Sequence, residues 1–125
     1  MKALTVKISL VIFAFTIFSF QQVSELNASI ARGKDVYTSN CATCHMQKGE
    51  GIEGVYPPLA KSDYLMADKK RAIRQVLEGA SESMTVNGVQ YNGFMNGFNF
   101  LNDKEVSDVL NYIRNSWGNK GEIIK

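Results

Sequence analysis

The chemistry-bearing residues of this 125-residue chain are concentrated in one pentapeptide, Cys41-Ala42-Thr43-Cys44-His45. It holds the only two cysteines and the only histidine of the chain. Two thiols three positions apart, followed directly by an imidazole, form the C-x-x-C-H signal for covalent haem attachment. At that spacing each thiol reaches one vinyl group of a single porphyrin. The histidine after the second thiol then lies under the iron and offers a ring nitrogen as proximal ligand. Other chemistries fit less well. A structural zinc ion wants four Cys/His ligands, and the chain offers three. A thioredoxin-like dithiol opens a helix after a strand, and no strand reads upstream of Cys41. The predicted cofactor is one covalent haem c, held by Cys41 and Cys44, with His45 on its iron.

An iron bound by His45 alone has an open distal side, and with no second histidine the candidates are methionines. Met46 follows the proximal ligand and cannot reach the other face. Met66 reads as core on a short helix, and Met84 opens a hairpin. Met95 stands in the Gly- and Phe-rich stretch Gly93–Phe100, fifty residues after His45. Its flanking glycines let backbone approach a flat ligand closely. Met95 is therefore the expected distal ligand, with Met66 and Met84 as the alternatives. Phe94, Phe98 and Phe100 are expected to fold over an apolar surface and shield the bond.

The elements that must position these groups are mostly helices. Ser29 is placed to cap a helix running to about Asn40, with Ile30, Gly33, Val36 and Tyr37 on one side. Gly33 is costly inside a helix, and close approach of another helix is a reason to tolerate it. Three glycines and Pro57-Pro58 then read as a loop ending at Leu59. Ser62 or Asp63 starts a short helix through Leu65 and Met66. Asp68 caps a firmer one over Lys69–Glu78, stopped by Gly79. Asn87-Gly88 between Met84–Val86 and Val89–Tyr91 is a type I′ hairpin signal. Asn102 with Glu105 forms a capping box for the last helix. Its stripe of Val106, Val109, Leu110, Ile113 and Trp117 runs to Gly118.

Residues 1–28 read as a secretory leader and 29–125 as one domain. Lys2 and Lys7 precede the apolar run Ile8–Phe20, which is shorter than a spanning helix needs. Ala28 and Ala31 are the small residues for cleavage, and Ala28 keeps the next helix whole. An uncleaved anchor is the alternative, and only then would the membrane be a partner. Either way the domain is expected to be exported, to the periplasm or otherwise outside the cytoplasm. Fourteen basic against twelve acidic residues give a net charge of +2, without the basic stripe that nucleic acid would require. Lys69, Lys70, Arg71 and Arg74 cluster as a solvated helix face.

With these residues in view, the chain resembles a small class I mono-haem bacterial cytochrome c over Ile30 to about Gly118. The likeness rests on Gly33 and Tyr37, Cys41-x-x-Cys44-His45, Pro57-x-Leu59, the Met95 loop and Val109-x-x-Tyr112. The chain departs from the family in having Asn96 where many members carry proline after the methionine. The resemblance implies a mainly α fold, with three to four main helices wrapped around a covalent haem and a short β-hairpin. It also implies that the first and last helices cross near Gly33, packing Tyr37 against Val109 and Tyr112. The Pro57 carbonyl is then expected to accept a hydrogen bond from the His45 ring.

The function this predicts is electron transfer, not catalysis. His/Met ligation closes both faces of the iron and raises its potential, and no acid, base or nucleophile constellation accompanies it. Expected partners are redox proteins: a dehydrogenase or quinol oxidoreductase as donor, a terminal oxidase or reductase as acceptor. The alternatives are a haem subunit of a periplasmic dehydrogenase or nitrite reductase complex, and a peroxidase or gas sensor, which requires Met95 to stay off the iron.

Overall fold

The computed structural model describes the backbone of residues 2–125 and the side chains of residues 21–125. Three longer helices, α1 (Lys2–Asn40), α4 (Lys69–Glu78) and α5 (Asp103–Ile113), are joined by the single turns α2 (Ala42–His45) and α3 (Asp63–Ala67). Four short strands complete the fold: β1 (Gly79–Ala80), β2 (Met84–Val86), β3 (Val89–Tyr91) and β4 (Met95–Asn96). β2 and β3 form an antiparallel hairpin in the register Met84↔Tyr91 and Val86↔Val89. Asn87 at φ 50° and Gly88 at φ 82° make its turn, as their sequence dictates. β4 pairs antiparallel with β1, Ala80 opposite Met95.

The caps follow the sequence closely. The Ser62 hydroxyl accepts from the Leu65 amide, and the Asp68 carboxylate from Lys70 and Arg71. Asn102 and Glu105 complete the reciprocal capping box of α5. Buried faces of α4 and α5 meet over Ala72, Val76, Val106, Val109, Leu110 and Ile113.

α1 and α5 form the main helix–helix contact, and Gly33 sits at the crossing. Tyr37 is 1% exposed there, its ring 5.4 Å from Tyr112 and 5.1 Å from Trp117. A buried polar cluster flanks the crossing. The Asp108 carboxylate accepts from Ser29 Oγ at 2.6 Å, from Arg32 through two nitrogens at 2.6 and 2.8 Å, and from Lys104 at 2.7 Å. Burial acts to raise the Asp108 carboxyl, but these donors outweigh it and bring it down to about 2. Asn111, fully buried, accepts from the Ile124 amide and donates to the Ile124 carbonyl and to Ser29 Oγ, fastening the C-terminal tail to both helices.

Three expectations need correction. Ser29 does not cap a helix: α1 is continuous through it, and its hydroxyl turns across to Asp108 instead of back to its own backbone. α5 stops at Ile113, not at Gly118, and Trp117 lies beyond it in a left-handed turn at φ 53°, where its ring closes the aromatic cluster. The Gly93–Phe100 stretch is partly a strand; Phe98 packs against the core, Phe94, though 72% exposed, lines the same cavity as Cys41 and His45, and Phe100 is 69% exposed and does not line it. The side chains of residues 1–20, most of the expected leader, lie outside the described residues. Among those described, no helix is long and apolar enough to cross a membrane.

Candidate functional site

Cys41 and Cys44 stand at the end of α1, where one more helical turn carries the chain to His45. The Cys41 amide bonds the Tyr37 carbonyl at 2.8 Å, and the His45 amide bonds the Cys41 carbonyl at 3.0 Å. Met46, at φ 65°, then turns the backbone sharply away. Its carbonyl accepts a 2.6 Å hydrogen bond from the Tyr37 hydroxyl, so the core of the helix crossing also braces the turn after His45. Sequence reasoning missed this bond, although a buried tyrosine hydroxyl needs an acceptor.

The following loop folds back under His45. Its Nδ1 lies 2.9 Å from the Pro57 carbonyl, which can only accept, so the proton sits on Nδ1 and Nε2 keeps its lone pair. Burial pulls the His45 pKa below its ordinary value, partly opposed by the Pro57 bond. A neutral imidazole with Nε2 unprotonated is the ligating form. The loop itself is tied by Leu59 and Ala60 amides to the Gly49 carbonyl, and by Asn119 Nδ2 to the Leu59 carbonyl.

Cys41, Cys44 and His45 line one side of a cleft with a cavity volume of about 290 Å³. Its other walls are Val55–Leu59 from the loop, Leu65, Ala72 and Val76 from α3 and α4, Met84, Val86 and Tyr91 from the hairpin, and Met95 and Phe98. No Lys, Arg, Asp or Glu is among the lining residues. A large flat apolar body fits such walls, and the chain contributes thiols, an imidazole and thioethers to it.

Four residues that sequence reasoning singled out therefore face one cleft: Cys41, Cys44, His45 and Met95. Met84 lines it as well, whereas Met66 does not. Cys41 and Cys44 are not joined to each other, Cys41 half-buried and Cys44 exposed; burial and the neighbouring Cys44 push the Cys41 thiol up to about 11. Among the described residues no cluster of three or more His, Cys, Asp or Glu could hold a separate metal ion.

The model of the cytochrome c family matches residues 30–117. The chain is 36% identical over 112 residues to a cytochrome c-552 of Thermus thermophilus, covering 86% of this chain and 75% of that protein. It is 36% identical over 88 residues to the cytochrome c subunit of the quinone alcohol dehydrogenase of Gluconobacter oxydans, covering 70% of this chain but 18% of that subunit. It is 31% identical over 93 residues to the FixP subunit of the cbb3-type oxidase of Azorhizobium caulinodans, covering 74% of this chain and 31% of FixP.

Proposed function

This chain belongs to the cytochrome c family, as a class I mono-haem electron-transfer protein, and we propose that Cys41, Cys44, His45 and Met95 hold its haem. The family carries haem c covalently, and once bound the group supplies a one-electron iron couple. The residues do the rest. Cys41 and Cys44 would hold the haem as two thioethers, each thiol adding its sulfur and hydrogen across one vinyl group, which needs no oxidant. His45 would ligate the iron through Nε2, with the Pro57 carbonyl fixing its ring. Met95 would supply the second iron ligand, and the uncharged cleft walls would exclude water and favour the lower-charge reduced state.

The observation that carries this reading is the meeting of both thiols, the Pro57-oriented imidazole and the Met95 thioether around one uncharged cleft. It also disfavours a peroxidase or gas sensor, because two methionines line the cleft that would have to stay open.

The protein works outside the cytoplasm, as bacterial class I cytochromes c typically do, after export directed by residues 1–28. It acts as a free carrier between a dehydrogenase or quinol oxidoreductase and a terminal oxidase or reductase. The extent of its match to cytochrome c-552 supports the free carrier. Its likeness to subunits of a quinone alcohol dehydrogenase and of a cbb3-type oxidase supports a second reading, a haem subunit of a periplasmic complex.

The test is made on protein from native extract. Denatured chain should retain haem-dependent peroxidase stain and carry the added mass of one porphyrin, and the ferric spectrum should be low-spin with a methionine–iron band. Extraction of the haem into acidified organic solvent overturns covalent attachment through Cys41 and Cys44. A high-spin ferric spectrum overturns the axial pair. Gel filtration of the extract separates carrier from subunit.

A further inference from the structure

We propose that Gly79 and Gly97 are positioning residues for the distal sulfur: they let β4 lie directly on the end of α4 and so fix Met95 in the cleft wall. The inference rests on Met95 being the distal ligand. The sequence reads Met95 as part of a flexible glycine-flanked loop, its glycines opening the backbone to a flat ligand. In the structure both flanking glycines face protein backbone instead. A Cβ on Gly93 would stand 3.1 Å from the Val55 carbonyl oxygen, and one on Gly97 would stand 2.5 Å from the Leu77 carbonyl oxygen and 2.7 Å from the Glu78 carbonyl carbon.

Gly79 completes the seat from the other side. A Cβ there would lie 2.3 Å from the Met95 carbonyl oxygen and 2.8 Å from the Gly97 nitrogen. One residue on, Ala80 pairs with Met95, and three residues further along the same segment the Phe98 amide bonds the Val76 carbonyl at 2.8 Å. A two-residue strand has almost no stability of its own. The place of Met95 is therefore set by what β4 rests on, and that is the last turn of α4. A methyl group at residue 79 or 97 meets backbone, which cannot swing aside, so β4 must lift. Met95 lifts with it, and its sulfur leaves the iron.

The two glycines differ in a way that sharpens the test. Gly79 sits at φ +84°, a region other residues rarely adopt, whereas Gly97 has no such φ. Gly97→Ala therefore tests close approach alone. Gly88 has φ +82° with nothing within 4 Å, so Gly88→Ala controls for a positive φ without the contact, while Gly79, at ψ −170°, occupies a region that is essentially glycine's alone.

The experiment compares holoprotein carrying Gly97→Ala, Gly79→Ala, Gly88→Ala or Met95→Ala. It reads the ferric methionine–iron band, carbon monoxide binding to the ferrous form, and the potential. Gly97→Ala and Gly79→Ala should lose the band, bind carbon monoxide and lower the potential, as Met95→Ala does. Gly88→Ala should keep the band whatever its stability. If Gly97→Ala keeps the band and excludes carbon monoxide while Met95→Ala does not, the seat is refuted and the ligand assignment stands. If Met95→Ala keeps the band, the ligand assignment fails and the inference with it. Should the glycine variants not fold, hydrogen exchange on the unsubstituted protein decides. The Phe98 amide should open only as often as ferrous iron captures carbon monoxide, and free exchange at Phe98 with the iron still closed overturns the proposal.

Discussion

The backbone of α1 touches that of α5 where Gly33 meets Asp108: a methyl group at residue 33 would stand 1.8 Å from the Asp108 carbonyl oxygen and 2.9 Å from Tyr112 Cβ. The neighbour is backbone of a packed helix and cannot rotate away. Gly33→Leu should therefore cost about 3 kcal/mol, the upper end of overpacking penalties. Chemical denaturation of the holoprotein measures it, and an unchanged midpoint contradicts the close crossing.

Met95→Ala should leave the haem attached, because the thioethers proposed at Cys41 and Cys44 would not depend on it. It should open a coordination site, admit carbon monoxide to the ferrous form and lower the potential, since a neutral thioether favours reduced iron. Met66 lies outside the cleft and Met66→Ala should do none of these. Met84 lines the cleft, so Met84→Ala is the sharper control. If it opens the iron and Met95→Ala does not, the distal ligand is Met84.

Asp108 predicts an acid limit. Its carboxyl is held at about 2 in the fold against about 3.9 in an unfolded chain. A depressed carboxyl contributes stability that is fully present above the unfolded value and fades as pH falls through the folded one. The contribution is about 2 kcal/mol near neutrality, lost between about pH 4 and pH 2. Asp108→Asn should lower stability at pH 6 and flatten its decline across that window. Denaturation midpoints at pH 6 and pH 2.5 check this, and parallel curves for both proteins would remove Asp108 as the cause.

Asn111 holds the tail through Ile124 while bonded to Ser29. Asn111→Ala strands the buried Ile124 amide, at a cost of about 1–3 kcal/mol. Proteolysis of the folded variant should clip residues 121–125 faster than in the unsubstituted protein, and equal clipping rates refute the fastening role.

The parts of the fold legible in the sequence are those decided within a few residues. Asn102 and Glu105 cap each other three positions apart, Asp68 caps its own first turn, and Asn87-Gly88 supplies the two positive φ angles of its hairpin. The grouping of Cys41, Cys44 and His45 on one cleft is legible for the same reason. Ser29 misleads because a serine reads as a cap from its local context, while its partner Asp108 lies 79 residues away. Trp117 fits the helical stripe of α5, but tilted and edge-on ring contacts with Tyr37 and Tyr112 place it better in a turn outside the helix. The glycines around Met95 signal close approach but not its target, which belongs to α4.

The bonds from Ser29 and Arg32 to Asp108 close loops of 79 and 76 residues, and Cys41 to His45 lies inside them. Closing a loop that long costs about 4 kcal/mol of chain entropy beyond the fixed term, recovered only when the whole α1–α5 contact forms. A chain delivered from its N-terminus presents both thiols and the imidazole while α5, which supplies Leu110 to the cleft wall, has yet to arrive. Until α5 packs on α1, the cleft lacks the Leu110 side of its wall, so the helix that closes the chain's longest loops also completes the cavity.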